Sequence, residues 1–218
     1  MKNPHVKLTE EPVTGYEYQL GDRIKLSCPE TLLMIPFGKV ITNRRSTRKF
    51  NAVMLTQLSQ LLWYTAKVKN LHLQENGYIL THRGAPSAGA RHPIDIIVYN
   101  STMFHREHFY YYNPFDHSLN LIMNEVVIAP FIIHINKIVN IGRGTLLWFV
   151  AHSQRTNSKY ENADSLIWRD AGALINSIQL TCTALNLSSC PIGSLGEPYI
   201  SSFFADPDVF GAGGIIIG

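Results

Sequence analysis

From Asp164 to Leu187 the apolar residues Ile167, Ala171, Leu174, Ile178, Cys182 and Leu185 recur at steps of three and four. That period describes a helix with one buried face, and Asp164 stands where a helix start favours an acidic side chain. A helix of this length is a core element. At 218 residues, 45% hydrophobic and only 16% charged, the chain can bury such a core, and its length suits one domain.

The other readable segments are shorter. Leu55, Leu58, Leu61, Leu62 and Trp63 predict a helix over 55–66, with Thr56 as a capping hydroxyl. Ile94 to Tyr99 reads as a buried strand, and so does Pro130 to Val139, which is almost wholly apolar and rich in β-branched residues. The run Gly213 to Gly218 predicts a last strand, being too short for a helix. Residues 1–40 are broken by Pro4, Pro12, Gly15, Gly21, Pro29 and Pro36 and read as an extended lead-in to a domain over 41–218. Helices and strands intermingle without βαβ alternation, which predicts an α+β class.

A formal charge of +3 without a long basic block argues against a nucleic-acid partner. Cys28, Cys182 and Cys190 are odd in number and lack CxxC spacing, which argues against a disulfide framework or a zinc site and fits a reducing compartment. The amino terminus has no apolar signal core and no stretch is long and uncharged enough to span a bilayer, so the expectation is a soluble, cytoplasmic protein that does not insert into membranes.

Three segments hold residue types that do chemistry. In Arg44-Arg45-Ser46-Thr47-Arg48, ahead of a helix, positions 44, 46 and 48 of an extended chain share a face and can converge on a phosphate. The bland alternative is a solvated basic turn. Arg83 to Pro93 is a loop of small residues that lets a flat ring approach the backbone, and it lacks the spacing of a dinucleotide or Walker fingerprint. Lys159-Tyr160 supplies two groups able to move a proton, or else an exposed lysine beside a packing tyrosine.

In this order, over residues 40–218, the segments resemble the nitroreductase superfamily of flavin enzymes, close to its SagB-type dehydrogenases. Arg44-Arg45-Ser46-Thr47-Arg48-Lys49-Phe50 is similar to the family's phosphate motif, which puts Arg44, Ser46 and Arg48 on the phosphate of flavin mononucleotide (FMN). Pro86-Ser87-Ala88-Gly89-Ala90-Arg91-His92-Pro93 resembles the SagB-type loop that lies against the flavin of the opposite subunit. The resemblance therefore implies a central, mainly antiparallel sheet flanked by helices, in a domain-sharing homodimer. Tyr111-Tyr112-Asn113-Pro114 with His117 and Leu119, and Asp170-Ala171-Gly172 with Asn176, are further similarities. Cys190-Pro191-Ile192-Gly193-Ser194 resembles the Pro-Ile-x-Gly turn, which implies flavin contacts at Gly193 and Ser194.

Lys159-Tyr160 is similar to the Lys-Tyr pair of azoline dehydrogenases, where Lys159 would be the base and Tyr160 would position or relay the proton. Two departures are visible. Ala90 stands where members outside the SagB type commonly have Asn, and after Gly218 there is no tail of the kind that brings many relatives a further basic residue for the phosphate.

The resemblance thus implies an FMN-dependent oxidoreductase acting on a small-molecule or peptide substrate, such as an azoline oxidised to an azole, with partners in a biosynthetic complex. The alternatives are a nitro- or quinone-type reductase using NAD(P)H, and a degenerate flavin scaffold without enzymatic activity. Metal-dependent hydrolysis through His105, Glu107, His108 and His117 is a third, disfavoured by spacing unlike a zinc helix.

Overall fold

Alternation along the strands generates the architecture, because each central strand is buried on both faces and sends successive side chains into two separate cores. The computed structural model describes residues 2–11, 13, 16–104, 107–123 and 128–218. Its strands are β1 (His5–Val6), β2 (Leu20–Lys25), β3 (Asn70–Leu73), β4 (Ile79–His82), β5 (Ile94–Tyr99), β6 (Phe109–Asn113), β7 (Ser118–Ile122), β8 (Thr145–His152), β9 (Tyr160–Glu161), β10 (Ser189–Ile192) and β11 (Val209–Ile217). The helices are α1 (Phe37–Asn43), α2 (Leu55–Thr65), α3 (Ser101–Phe104), α4 (Ile128–Ile138), α5 (Ser153–Asn157), α6 (Asp164–Ala184) and α7 (Tyr199–Phe204).

Seven strands form one sheet in the order β10-β11-β8-β5-β6-β7-β2, and every neighbouring pair is antiparallel. On one face Leu147, Phe149 and Ala151 of β8, with Ile94, Ile96 and Val98 of β5, pack under α2 and α6. On the other, Leu146, Trp148 and Val150 meet Ile97 and Tyr99 under α4 and α7. The predicted face of α6 is the observed one: Ile167, Ala171, Leu174, Ile178 and Cys182 are all buried. Each large aliphatic side chain so covered contributes about 1.5–3 kcal/mol.

The run read as a strand over 130–139 is helix α4. A short apolar stretch fits either element, and tertiary packing chose the helix. Ile128, Phe131, Ile132 and Ile135 follow helical spacing and are buried, while Ile133 and Ile138 face outward. Pro130 falls in the first turn, where a missing N–H has no intrahelical partner to lose. Thr56 does not cap α2. Met54 holds the cap position, its N–H donating to Gln57 Oε1 at 3.0 Å. Strand β11 starts earlier than the glycine run suggested and has a bulge between Gly211 and Gly214, with Gly213 at φ 88°.

The segment read as a lead-in joins the sheet domain. β2 is the edge strand beside β7, β1 pairs with β9, and α1 lies against α6. Among the described residues, no helix is long and apolar enough to cross a membrane.

Candidate functional site

The small-residue loop is pinned to α6 by one carboxylate. Ser87 Oγ donates to Asp170 Oδ2, the Ala88 N–H donates to Asp170 Oδ1 at 3.0 Å, and the His92 N–H donates to Ser87 Oγ at 2.8 Å. Burial raises the Asp170 carboxyl above its ordinary range, against the pull of the Ser87 and Ala88 hydrogen bonds. Between these anchors Gly89 and Ala90 take φ values of 59° and 55°, so the backbone turns in the left-handed region. Pro86 is exposed, and Ala88, Gly89 and Ala90 are partly so, leaving a surface of small side chains.

That loop meets the tyrosine of the Lys-Tyr pair. A Cβ built on Gly89 would stand 2.6 Å from the Tyr160 hydroxyl, so glycine is what lets the phenol approach the loop backbone. Lys159 follows α5, and Tyr160 begins β9, where the register pairs Val6 with Tyr160 and His5 with Glu161. Lys159 Nζ lies 5.8 Å from the Tyr160 ring centroid and 3.6 Å from Glu10 Oε1.

The basic segment forms an extended strap across the far part of α6. The Arg44 N–H closes α1 on the Val40 carbonyl at 3.0 Å, the Thr47 N–H donates to the Ser189 carbonyl at 2.9 Å, and Gln179 Nε2 donates to Ser46 Oγ at 3.3 Å. Among the described residues, no carboxylate lies within ion-pair distance of Arg44, Arg45, Arg48 or Lys49. Among the described residues these four neighbouring cations thus form a basic patch without a carboxylate partner.

Gly193 and Ser194 follow β10, whose first residue, Ser189, is the one that holds the strap. The Gly196 N–H donates to Ser194 Oγ at 3.2 Å, and His134 Nε2 lies 3.2 Å from the same hydroxyl. Gly193 is exposed, with open space where a Cβ would stand.

Helix α6 therefore carries two anchor points. Asp170 holds the loop with Lys159-Tyr160 nearby, and Gln179 holds the strap nine residues on, about 14 Å along the axis. Within one chain the structure joins Gly89 to Tyr160 but leaves Arg44, Ser46 and Arg48 in a separate cluster.

Sequence reasoning missed Glu10, which lies beside Lys159, and the roles of Asn76 and Arg91, which hold its carboxylate. They lie in a proline-broken segment, a hairpin and a loop, with no local period to relate them. It also missed a buried network at Asp95. There Arg155 pairs at 2.7 and 3.0 Å, His152 Nε2 lies at 2.9 Å, and the Tyr18 hydroxyl donates at 3.0 Å. Burial alone would raise this carboxyl, yet the charges of Arg155 and His152 hold it far below the ordinary range. The network ties Tyr18 to β5 and β8.

His117 is committed to structure, with Nε2 3.0 Å from Ser59 Oγ and Nδ1 2.9 Å from the Tyr112 hydroxyl. His105 lies outside the described residues, and among those described no group of His, Cys, Asp or Glu is placed to hold a metal ion.

A family model described as "Nitroreductase family" matches residues 41–216. Among solved structures, the chain is similar to a candidate nitroreductase of Ralstonia eutropha JMP134, with a TM-score of 0.69, 24% identity, and 97% of this chain and 98% of that chain covered. It is also similar to a chain of the Escherichia coli microcin synthetase McbBCD complex, solved with truncated pro-MccB17 bound. That match has a TM-score of 0.61 and 14% identity, covering 87% of this chain and 74% of the other. A third likeness is to a candidate nitroreductase of Desulfovibrio desulfuricans in complex with FMN, with a TM-score of 0.55, 15% identity, and 84% and 86% of the two chains covered. At these identities the structural likeness is one of fold. No curated protein sequence matches.

Proposed function

Because the chain belongs to the nitroreductase family of FMN-dependent oxidoreductases, we propose that it is a SagB-type dehydrogenase that oxidises an azoline carried on a peptide. The residues fit the cofactor. The strap cations, which have no carboxylate partner among the described residues, suit a doubly charged phosphate, for which Arg44, Ser46 and Arg48 supply two guanidinium groups and a hydroxyl. The open space at Gly193 and the small residues from Pro86 to Ala90 suit a flat ring system, with Ser194 alongside.

FMN, when bound, supplies the two-electron acceptor that turns an azoline into an azole. Lys159 takes the proton that leaves the substrate, and the Tyr160 hydroxyl, held against Gly89, positions or relays it. The observation that supports this reading most is the close approach of the Tyr160 hydroxyl to Gly89, in the loop that the reading assigns to the flavin. The likeness to a chain of the microcin synthetase McbBCD complex, solved with truncated pro-MccB17 bound, is in keeping with a peptide substrate and partners in a biosynthetic complex.

A homodimer accounts for the 14 Å spacing along α6, since two copies side by side would bring the strap of one to the loop of the other. Absorbance of the purified protein, followed by mass spectrometry of what heat releases, tests the cofactor. Anaerobic mixing with a thiazoline peptide then tests the reaction: bleaching of the flavin band is expected. A flavin that bleaches with NADPH but with no azoline would replace this reading by a nitro- or quinone-type reductase.

A further inference from the structure

Glu10 lies outside the matched residues 41–216, yet its carboxylate stands between two cations of the candidate site. Oε1 is 2.5 Å from Arg91 Nη2 and 3.6 Å from Lys159 Nζ, and Oε2 accepts from Asn76 Nδ2 at 2.7 Å. Arg91 is buried, with its guanidinium 3.9 Å from the centroid of the Tyr78 ring, so it offers a fixed seat for the carboxylate. The backbone is tied down on both sides, the Lys7 N–H donating to the Lys159 carbonyl at 2.8 Å and the Glu11 N–H to the Ser158 carbonyl at 2.9 Å.

The other charges on these elements are taken. His5 faces Glu161 at 2.8 Å, and Lys7 pairs with Glu11 at 2.7 Å. Glu10 is thus the only carboxylate within ion-pair distance of Lys159 among the described residues.

Resting on the reading of Lys159 as the base, we infer that Glu10 is a positioning residue for it, fixing the amine beside Tyr160 and stabilising the ammonium that proton transfer creates. The azoline gives up a proton to Lys159 Nζ and a hydride to the flavin, so a positive charge appears on the lysine as the azole forms. A carboxylate seated by Arg91 and Asn76 meets that charge without reorganising. Burial opposes ionisation of Glu10, but the hydrogen bonds from Arg91 and Asn76 and the Arg91 charge pull the other way, and the carboxyl lies below its ordinary range.

The test reads the amine rather than turnover. The full-length protein, with FMN bound, is acetylated with a water-soluble ester near neutral pH, and modification of Lys159 is followed by peptide mass spectrometry. Glu10→Gln should speed labelling roughly three- to tenfold, an advantage that salt reduces, while Glu10→Asp should stay near the wild-type rate. Hydrogen exchange at the Lys7 and Glu11 amides shows whether the segment remains docked. Should Glu10→Gln release it, the salt dependence still separates lost charge from greater access. A Glu10→Gln rate equal to wild type, a gain indifferent to salt, or Glu10→Asp as fast as Glu10→Gln would each overturn the assignment. Failure of the base reading is distinct: turnover would survive replacement of Lys159 whatever the labelling result.

Discussion

The hydroxyl of Tyr160 occupies the space that any side chain at residue 89 would need: a Cβ there would lie 2.6 Å from the oxygen and 3.2 and 3.3 Å from two ring carbons. The left-handed φ of 59° adds its own cost for an L side chain, so two independent penalties fall on one position.

Gly89→Ala is expected to destabilise the protein by about 2 kcal/mol, or roughly 4–8 °C in Tm for a chain of this size. The phenol must move, so turnover should fall while FMN remains bound. In a Tyr160→Phe background the loss should be smaller, since the nearest atom is gone. Additive losses in that double-mutant cycle would show that the contact is not the cause.

Charge reversal on the strap should depend on which face it alters. Arg44→Glu and Arg48→Glu are each expected to weaken FMN binding roughly tenfold or more, because a carboxylate replaces a charge-assisted partner of the phosphate. Arg45, on the opposite face of the extended chain, should matter less when changed in the same way. Quenching of flavin fluorescence on titration measures all three, and equal effects would argue for a general basic surface.

Replacing Lys159 by Met should leave the flavin spectrum and Tm nearly unchanged while slowing substrate-driven flavin reduction by about a hundredfold or more. Undiminished reduction in a stopped-flow experiment would remove Lys159 from the chemistry.

Acid should weaken the fold through two buried histidines. His92 Nε2 meets the Thr81 carbonyl at 2.8 Å and His117 is held by Ser59 and Tyr112, and burial lowers both imidazoles from 6.5 to about 4. The native state prefers them neutral, so the unfolded chain takes up protons first as pH falls. Their stabilisation is complete above pH 6.5 and is lost progressively toward about pH 4, on the order of 3 kcal/mol for each. Urea denaturation across that range measures the slope, which His117→Gln should flatten. An unchanged slope would assign the acid sensitivity elsewhere.

Local pattern alone determined the face of α6, the helix over 55–65 and the buried strand over 94–99, because burial on one side leaves its imprint every three or four residues, and burial on both sides leaves a run of apolar residues that Asp95 alone interrupts. The order of the basic motif, the small-residue loop and the Lys-Tyr pair was also legible, since each is a local pattern. Local pattern could not decide Pro130 to Val139, where β-branched residues suit a strand and only packing against the second face of the sheet selects the helix.

Tertiary structure alone joined Gly89 to Tyr160, Asp170 to Ser87 and Glu10 to Lys159, contacts separated by 71, 83 and 149 residues in the chain. Such pairings leave no mark in a window of neighbouring residues, because the sheet and α6 bring them together only after every intervening element has packed.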